Sequence, residues 1–143
     1  MEEVLIRDGA AEDLIGIAAV QAECPEAPSW RVEDYLSYRL DVAEHAGEIV
    51  GFLATRRLVE GEAEVLNLAV AKSARRQGVA RRLLQQAMAR WPGAWFLEVR
   101  ESNLGAQACY QGLGFRQTGT RPGYYASGDG NSPEGGIVME LYQ

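Results

Sequence analysis

Residues 62–100 constrain the fold of this chain more than any other segment. They read as a strand ending in the apolar run "EVLNLAV", an arginine-rich turn, a helix, a proline stop and a second apolar strand, "AWFLEVR". From Gly78 to Arg90 the side chains Val79, Leu83, Leu84, Ala87 and Met88 form one helical stripe, with arginines and glutamines on the other side. "WPG" at Trp91–Gly93 stops the helix, since proline cannot continue it. Strand, helix, strand in that order is a β-α-β crossover, the signature of an α/β domain.

The remaining elements fit around that unit. "VLIRDG" (4–9) predicts a short first strand. "AAEDLIGIAAVQAEC" (10–24) predicts a helix with acidic residues early and with Leu14, Ile17, Ala18 and Gln21 at helical spacing. "PEAPSW" (25–30) is a loop. "RVEDYLSYRL" (31–40) predicts a second short helix with Val32, Tyr35, Leu36 and Leu40 on one side. Turn signals at Ala46-Gly47 and Glu60-Gly61 divide three antiparallel strands at 41–45, 48–58 and 62–70. After "AWFLEVR" (94–100), Ser102 or Asn103 supplies the N-cap of a further helix. "FRQTGT" (115–120) and "GIVMELY" (136–142) are the last strands, joined by the long polar "RPGYYASGDGNSPEG" (121–135). The order β α α β β β α β α β β, without repeats or a shift in composition, predicts one domain over residues 1–143. Its sheet is mixed, mostly antiparallel and flanked by helices.

The arginine-rich turn is unusual in its surroundings. The chain carries 14 basic and 20 acidic side chains, a net charge of −6. Lys72, Arg75, Arg76, Arg81 and Arg82 nevertheless cluster within residues 72–82. Three roles are open: a solvated helix face, a nucleic-acid patch, or a cradle for a phosphorylated cofactor. The acidic total and the lack of interleaved aromatics argue against nucleic acid. A helix N-terminus offers unpaired N–H groups and the positive end of its dipole, which suits an anion. Gly78 and Ala80 leave room for backbone to approach a ligand, and Arg76 and Arg81 can add charge-assisted hydrogen bonds.

"LNLAV" followed by "RRQGVA" resembles the pyrophosphate loop of the GNAT superfamily of N-acetyltransferases. That loop reads Gln/Arg-x-x-Gly-x-Gly/Ala, here Arg75-x-x-Gly78-x-Ala80, and the element order agrees over essentially the whole chain. The resemblance implies acetyl-coenzyme A as cofactor. Leu68, Ala69 and Val70 would pair with its pantetheine arm, while Arg76, Gln77, Gly78, Val79, Ala80 and Arg81 would hold its pyrophosphate.

A second constellation lies in "FLEVRESNLGAQACYQGLGF" (96–115). Acetyl transfer to an amine needs a proton removed from the amine and one delivered to the departing thiolate. A carboxylate and a phenol can do both, and Glu98 and Tyr110 are a strand end and an adjacent helix apart. Deprotonating an α-amino group at pH 7 costs ~1.1 kcal/mol against ~4.6 kcal/mol for a lysine, so one glutamate serves the former more easily. Residue alternation leaves another reading open, in which Glu98 simply pairs with Arg100. Tyr110 can equally be a core tyrosine.

"LEVRxSNxxAxxxYxxLGF", with "YY" and "IVMEL" beyond it, is similar to the bacterial ribosomal-protein-alanine N-acetyltransferases. That resemblance implies Glu98 as general base, Tyr110 as general acid and Asn103 as a cofactor contact, with direct transfer and no acetyl-cysteine. It implies a protein N-terminus as acceptor, possibly that of a ribosomal protein. A small-molecule amine on the same fold and a non-catalytic acetyl-coenzyme A-binding module are the alternatives. The chain departs from the pattern at Cys109, at "PEAPSW" and at the loop "ASGDGNSPEGG" (126–136). Either Tyr124 or Tyr125 could line the peptide channel. Asp129, Asn131 and Glu134 lack the spacing of a calcium loop. His45 is expected to be exposed, and Cys24 and Cys109 to be idle thiols, with no metal site. The acidic N-terminus and the lack of a long apolar run point to the cytoplasm and away from a membrane.

Overall fold

The computed structural model describes residues 3–125 and 134–143, with the side chains of 123–125 outside the description. Its strands are β1 (Leu5–Asp8), β2 (Arg39–His45), β3 (Glu48–Val59), β4 (Glu62–Val70), β5 (Ala94–Arg100), β6 (Arg116–Tyr125) and β7 (Glu134–Tyr142). The helices are α1 (Leu14–Ala22), α2 (Val79–Arg90) and α3 (Leu104–Gly112). The strands form a single sheet in the order β1-β2-β3-β4-β5-β7-β6. Every neighbouring pair is antiparallel except β4 and β5, which the crossover through α2 makes parallel. The α/β fold expected from the sequence is the fold observed.

Helices cover both faces. A side chain at Gly51 of β3 would meet Val79 of α2, and Asp41 of β2 bonds Arg90 of α2, so Gly51 and Asp41 mark the α2 face. Phe52, one residue along β3, meets Tyr35 edge-on at 5.0 Å and marks the opposite face, shared by α1. The α2 stripe Val79, Leu83, Leu84 and Ala87 is buried as its spacing predicts. Trp95, Leu97 and Val99 of β5 are buried with it, while Phe96, Glu98 and Arg100 point the other way.

Two elements differ from expectation. The segment predicted as a helix over 31–40 is a 3-10 turn at Val32–Ser37, followed directly by β2. A three-residue period aligns Val32 with Tyr35 and leaves Leu36 exposed; Leu40 is buried as a strand residue. β6 also runs past Thr120 to Tyr125, through Pro122. An edge strand tolerates that proline because one side needs no ladder donor, and the register slips between Arg121 and Tyr125. Residues 126–133, including Asp129 and Asn131, lie outside the described residues. His45 is half-buried at the end of β2, with Nδ1 enclosed and unpartnered, rather than exposed.

Buried charge fastens the layers. Asp41, 2% exposed, accepts two hydrogen bonds from Arg90 at 2.8 and 3.1 Å and one from Arg39 at 3.1 Å. Asp13 accepts both amino groups of Arg7 at 2.9 Å and the Ala10 N–H at 2.9 Å. The Arg7 hydrogen bonds hold the Asp13 carboxyl below its ordinary range against the opposing effect of burial. Such a group contributes stability above its unfolded pKa of about 3.9 and loses it as pH falls through the lower folded value. Asp13→Asn should therefore flatten the fall of urea midpoints below about pH 4 relative to wild type. Asp41→Ala should cost about 3 kcal/mol in urea unfolding at pH 7, the low end for a broken buried pair because both arginines keep some contact with water.

Candidate active site

The site begins where a parallel strand pair comes apart. β4 and β5 are in register only at Glu62–Glu64 with Ala94–Phe96. Beyond that point β4 runs on to Val70 and β5 to Arg100 without pairing. The cause lies in β4: Asn67 faces Ala54 of β3 but Val65 faces Thr55, so Leu66 is an extra residue. A bulge bends the strand that carries it and increases its twist. It also shifts the alternation. Ala63 and Val65 are buried on the α2 face, whereas Asn67 and Ala69 are buried on the α1 face.

The wide end of the opening is a cleft of about 450 Å³, within the range of cofactor sites. Leu68, Ala69 and Val70 form one wall, and Asn103 and Ala106 at the start of α3 form another. Arg75, Arg76, Gly78, Ala80 and Arg81 form its far end. Arg82 N–H makes the first helical bond of α2, to Gly78 O at 2.9 Å, so the N–H groups of Val79, Ala80 and Arg81 precede the ladder. Gly78 has φ 78°, and a Cβ there would meet nothing within 4 Å, so the space beside it is open. Arg76, with φ 63°, is held in the same left-handed region.

The basic residues divide by task. Arg76 and Arg81 are exposed and line the cleft. Arg82 is spent on the Val4 carbonyl at 2.9 Å. Arg75 donates to Val70 O at 3.1 Å and Cys24 Sγ at 3.2 Å, and pairs with Glu26. Gln77 donates to Ser73 O, and the Val79 side chain is in the core, so neither side chain lines the cleft.

Toward the sheet the opening narrows to about 30 Å³. Glu98, Val99, Arg100 and Tyr110 face Leu66, Asn67 and the loop residues Glu26, Ala27 and Pro28 across it. The fold thus brings Glu98 and Tyr110 to one cleft, which shares Leu68, Asn103 and Ala106 with the wide end. Glu98 Oε1 lies 3.1 Å from Arg121 Nε, while Arg100 reaches Glu134 at 3.5 Å, so the cation beside Glu98 is not the one its neighbour in sequence suggested. Arg121 stands on β6 opposite Gly136 of β7, and Gly136 stands opposite Arg100 of β5. Gly136 between them adds no side chain to the diagonal from Arg121 to Glu98. Tyr110 is buried edge-on against Phe115 at 5.6 Å, so it is at once a core residue and a wall of the cleft. Asn103 Oδ1 caps α3 by accepting the Ala106 N–H at 3.2 Å.

Part of this cleft's wall comes from "PEAPSW", one of the places where the sequence departs from the pattern it resembles. Glu26 and Ala27 come from a loop seventy residues away from Glu98. Both thiols line the wide cleft: Cys24 is buried and donates to Val70 O, and Cys109 is half-buried. Desolvation raises the pKa of each, with Arg75 and Arg81 opposing it.

Fold and clefts together define an α/β protein that can hold an extended anionic ligand between two splayed strands. The sequence profile of the Acetyltransferase (GNAT) family matches residues 10–115, and the chain belongs to that family. It is an N-acetyltransferase. The [Ribosomal protein bS18]-alanine N-acetyltransferase of Haemophilus ducreyi is 40% identical over 98 residues, 66% of each chain. The Escherichia coli enzyme of that name is 35% identical over 113 residues, 76% of this chain and 72% of its own. The crystal structure of the ribosomal-protein-S18-alanine N-acetyltransferase from Escherichia coli superimposes with a TM-score of 0.84 at 28% identity, covering 98% of this chain and 94% of that one. The family uses acetyl-coenzyme A. The residues present fit such a group: open helix N–H groups and two arginines suit a pyrophosphate, and the unpaired edge of β4 suits an amide-bearing arm.

Proposed function

We propose that this chain acetylates the N-terminal α-amino group of a protein, with acetyl-coenzyme A as donor. Residues 1–143 act as one N-acetyltransferase domain. The observation that carries the reading is the shared cleft, in which the carboxylate of Glu98 and the phenol of Tyr110 line a slot that opens into the arginine-walled cleft. The relatives' names favour a ribosomal protein beginning with alanine as acceptor, and hence a cytoplasmic enzyme.

Acetyl-coenzyme A supplies an activated acyl carbon and a thiolate leaving group. Leu68–Val70 bind its arm along the free edge of β4. The N–H groups of 79–81, with Arg76 and Arg81, grip the pyrophosphate; Gln77 and Val79 contribute backbone alone. Asn103 borders both clefts and fixes the start of α3 beside the arm. Glu98 takes a proton from the acceptor ammonium, with the Arg121 guanidinium beside its carboxylate. Tyr110 holds a proton at its hydroxyl for the departing sulfur. Transfer is direct, as the burial-raised thiols of Cys24 and Cys109 make poor nucleophiles.

A panel of N-terminal peptides set against polyamines and amino-sugar antibiotics tests the reading; turnover on amines but on no peptide would overturn it. Glu98→Gln and Tyr110→Phe should each lower kcat/KM about a hundredfold or more with acetyl-coenzyme A binding intact, the usual scale for removing a general base or acid. Full turnover by both variants would mean that other groups move the protons. Gly78→Ala should weaken acetyl-coenzyme A binding by roughly tenfold, measured calorimetrically, since a left-handed alanine costs about 1–2 kcal/mol and tilts the turn away from the conformation that lines the cleft.

A further inference from the structure

The loop wall of the narrow cleft has no secondary structure of its own, yet it is anchored at several points. Asn67 of β4, 3% exposed, donates from Nδ2 to the Pro28 carbonyl at 2.8 Å and to the Tyr35 hydroxyl at 2.7 Å. Its Oδ1 accepts the Leu68 N–H at 2.9 Å. The Tyr35 hydroxyl donates onward to Gln21 Oε1. Gln21 Oε1 also accepts the Trp30 N–H at 3.1 Å, and Gln21 Nε2 donates to the Trp30 carbonyl at 2.8 Å. The Trp30 ring stacks on Tyr35 at 4.7 Å. One relay, buried at Tyr35 and Asn67, therefore joins β4, α1 and the 3-10 turn to the loop at Pro28 and at Trp30. Satisfied networks of this kind are rigid, because each lost partner leaves a buried polar group unpaired.

The wall held in this way is the one facing Glu98. The slot between them is the narrow end of the opening, about 30 Å³ against about 450 Å³ at the wide end. Leucine carries three carbons more than alanine, and at the narrow end each added carbon presses on that wall. We propose that the Gln21–Tyr35–Asn67 relay is the specificity-determining element of the acceptor site, fixing the loop wall so that the first residue of the substrate must be small. The proposal rests on the N-terminal acetylation reading and names the residues that would enforce a preference within it. Glu98 and Tyr110 do the chemistry; the relay residues are positioning residues that act through Ala27 and Pro28.

Otherwise identical peptides beginning with Ala and with Leu provide the test. Wild type should prefer Ala in kcat/KM by about a hundredfold, the discrimination a tight pocket gives against extra carbons. Tyr35→Phe keeps the ring against Trp30 and Phe52 but removes the hydroxyl that links Asn67 to Gln21. It should cut the Ala/Leu ratio by about tenfold or more, chiefly by lowering KM for the Leu peptide, with KM for acetyl-coenzyme A within about twofold of wild type. Asn67→Leu, which removes the bond to Pro28 as well, should cut it at least as far. An unchanged ratio in a variant that still melts cooperatively would overturn the proposal, as would an equal loss with both peptides, the mark of a merely structural role. Wild type settles the matter even where the variants do not fold, since equal use of Ala and Leu sinks the narrow slot. Absence of wild-type turnover on every peptide is a distinct result and removes the N-terminal reading itself, and this proposal with it.

Discussion

The separation of β4 from β5 after Glu64 and Phe96 is the constraint on which the rest of the molecule depends. A parallel pair that stayed in register would have its edges saturated and its interior filled by side chains. Leu66, one residue too many against β3, bends β4 away and leaves backbone on both strands free to face a ligand. The same extra residue turns Asn67 toward α1, where it reaches Tyr35 and Pro28. The wide opening and the loop wall of the narrow slot thus share one cause. The rigidity around it comes from elsewhere: Asp41 with Arg90 ties α2 to β2, and Arg7 with Asp13 ties the entry to α1 to β1.

Charge is distributed with the same economy. In a chain of net charge −6, most arginines have a protein partner: Arg7, Arg39, Arg56 and Arg90 pair with carboxylates, and Arg82 caps a carbonyl. Arg76 and Arg81 are exposed at the mouth of α2, where the helix dipole adds to them. Together they make a local patch of positive charge inside an acidic protein.

Legibility followed the range of the interactions involved. The α2 stripe, the proline stop at Pro92 and the alternation of "AWFLEVR" depend on neighbours within a turn or a pleat, and they appear where the sequence predicts them. The segment 31–40 did not, since its helical spacing is equally a 3-10 turn followed by a strand, and pairing of Arg39–His45 with β1 and β3 decides between them. The bulge at Leu66 is invisible in "EVLNLAV" because burial still alternates along the strand while the covering layer changes sides. Glu98 was visible as a strand-end carboxylate, but its partner Arg121 was not, for the two meet only across β7.

By itself the sequence determined the crossover, the helix mouth with Gly78 and its arginines, and the presence of a carboxylate and a phenol on neighbouring elements. Each follows from local rules: periodicity, capping and side-chain chemistry. Tertiary structure alone decided that Glu98 and Tyr110 share a slot, that Arg75 and Arg82 are occupied elsewhere, and that Gln21, Tyr35 and Asn67 hold the opposite wall. Those facts depend on contacts between residues up to 78 positions apart, whose geometry is fixed only when the sheet twists and the layers close on it.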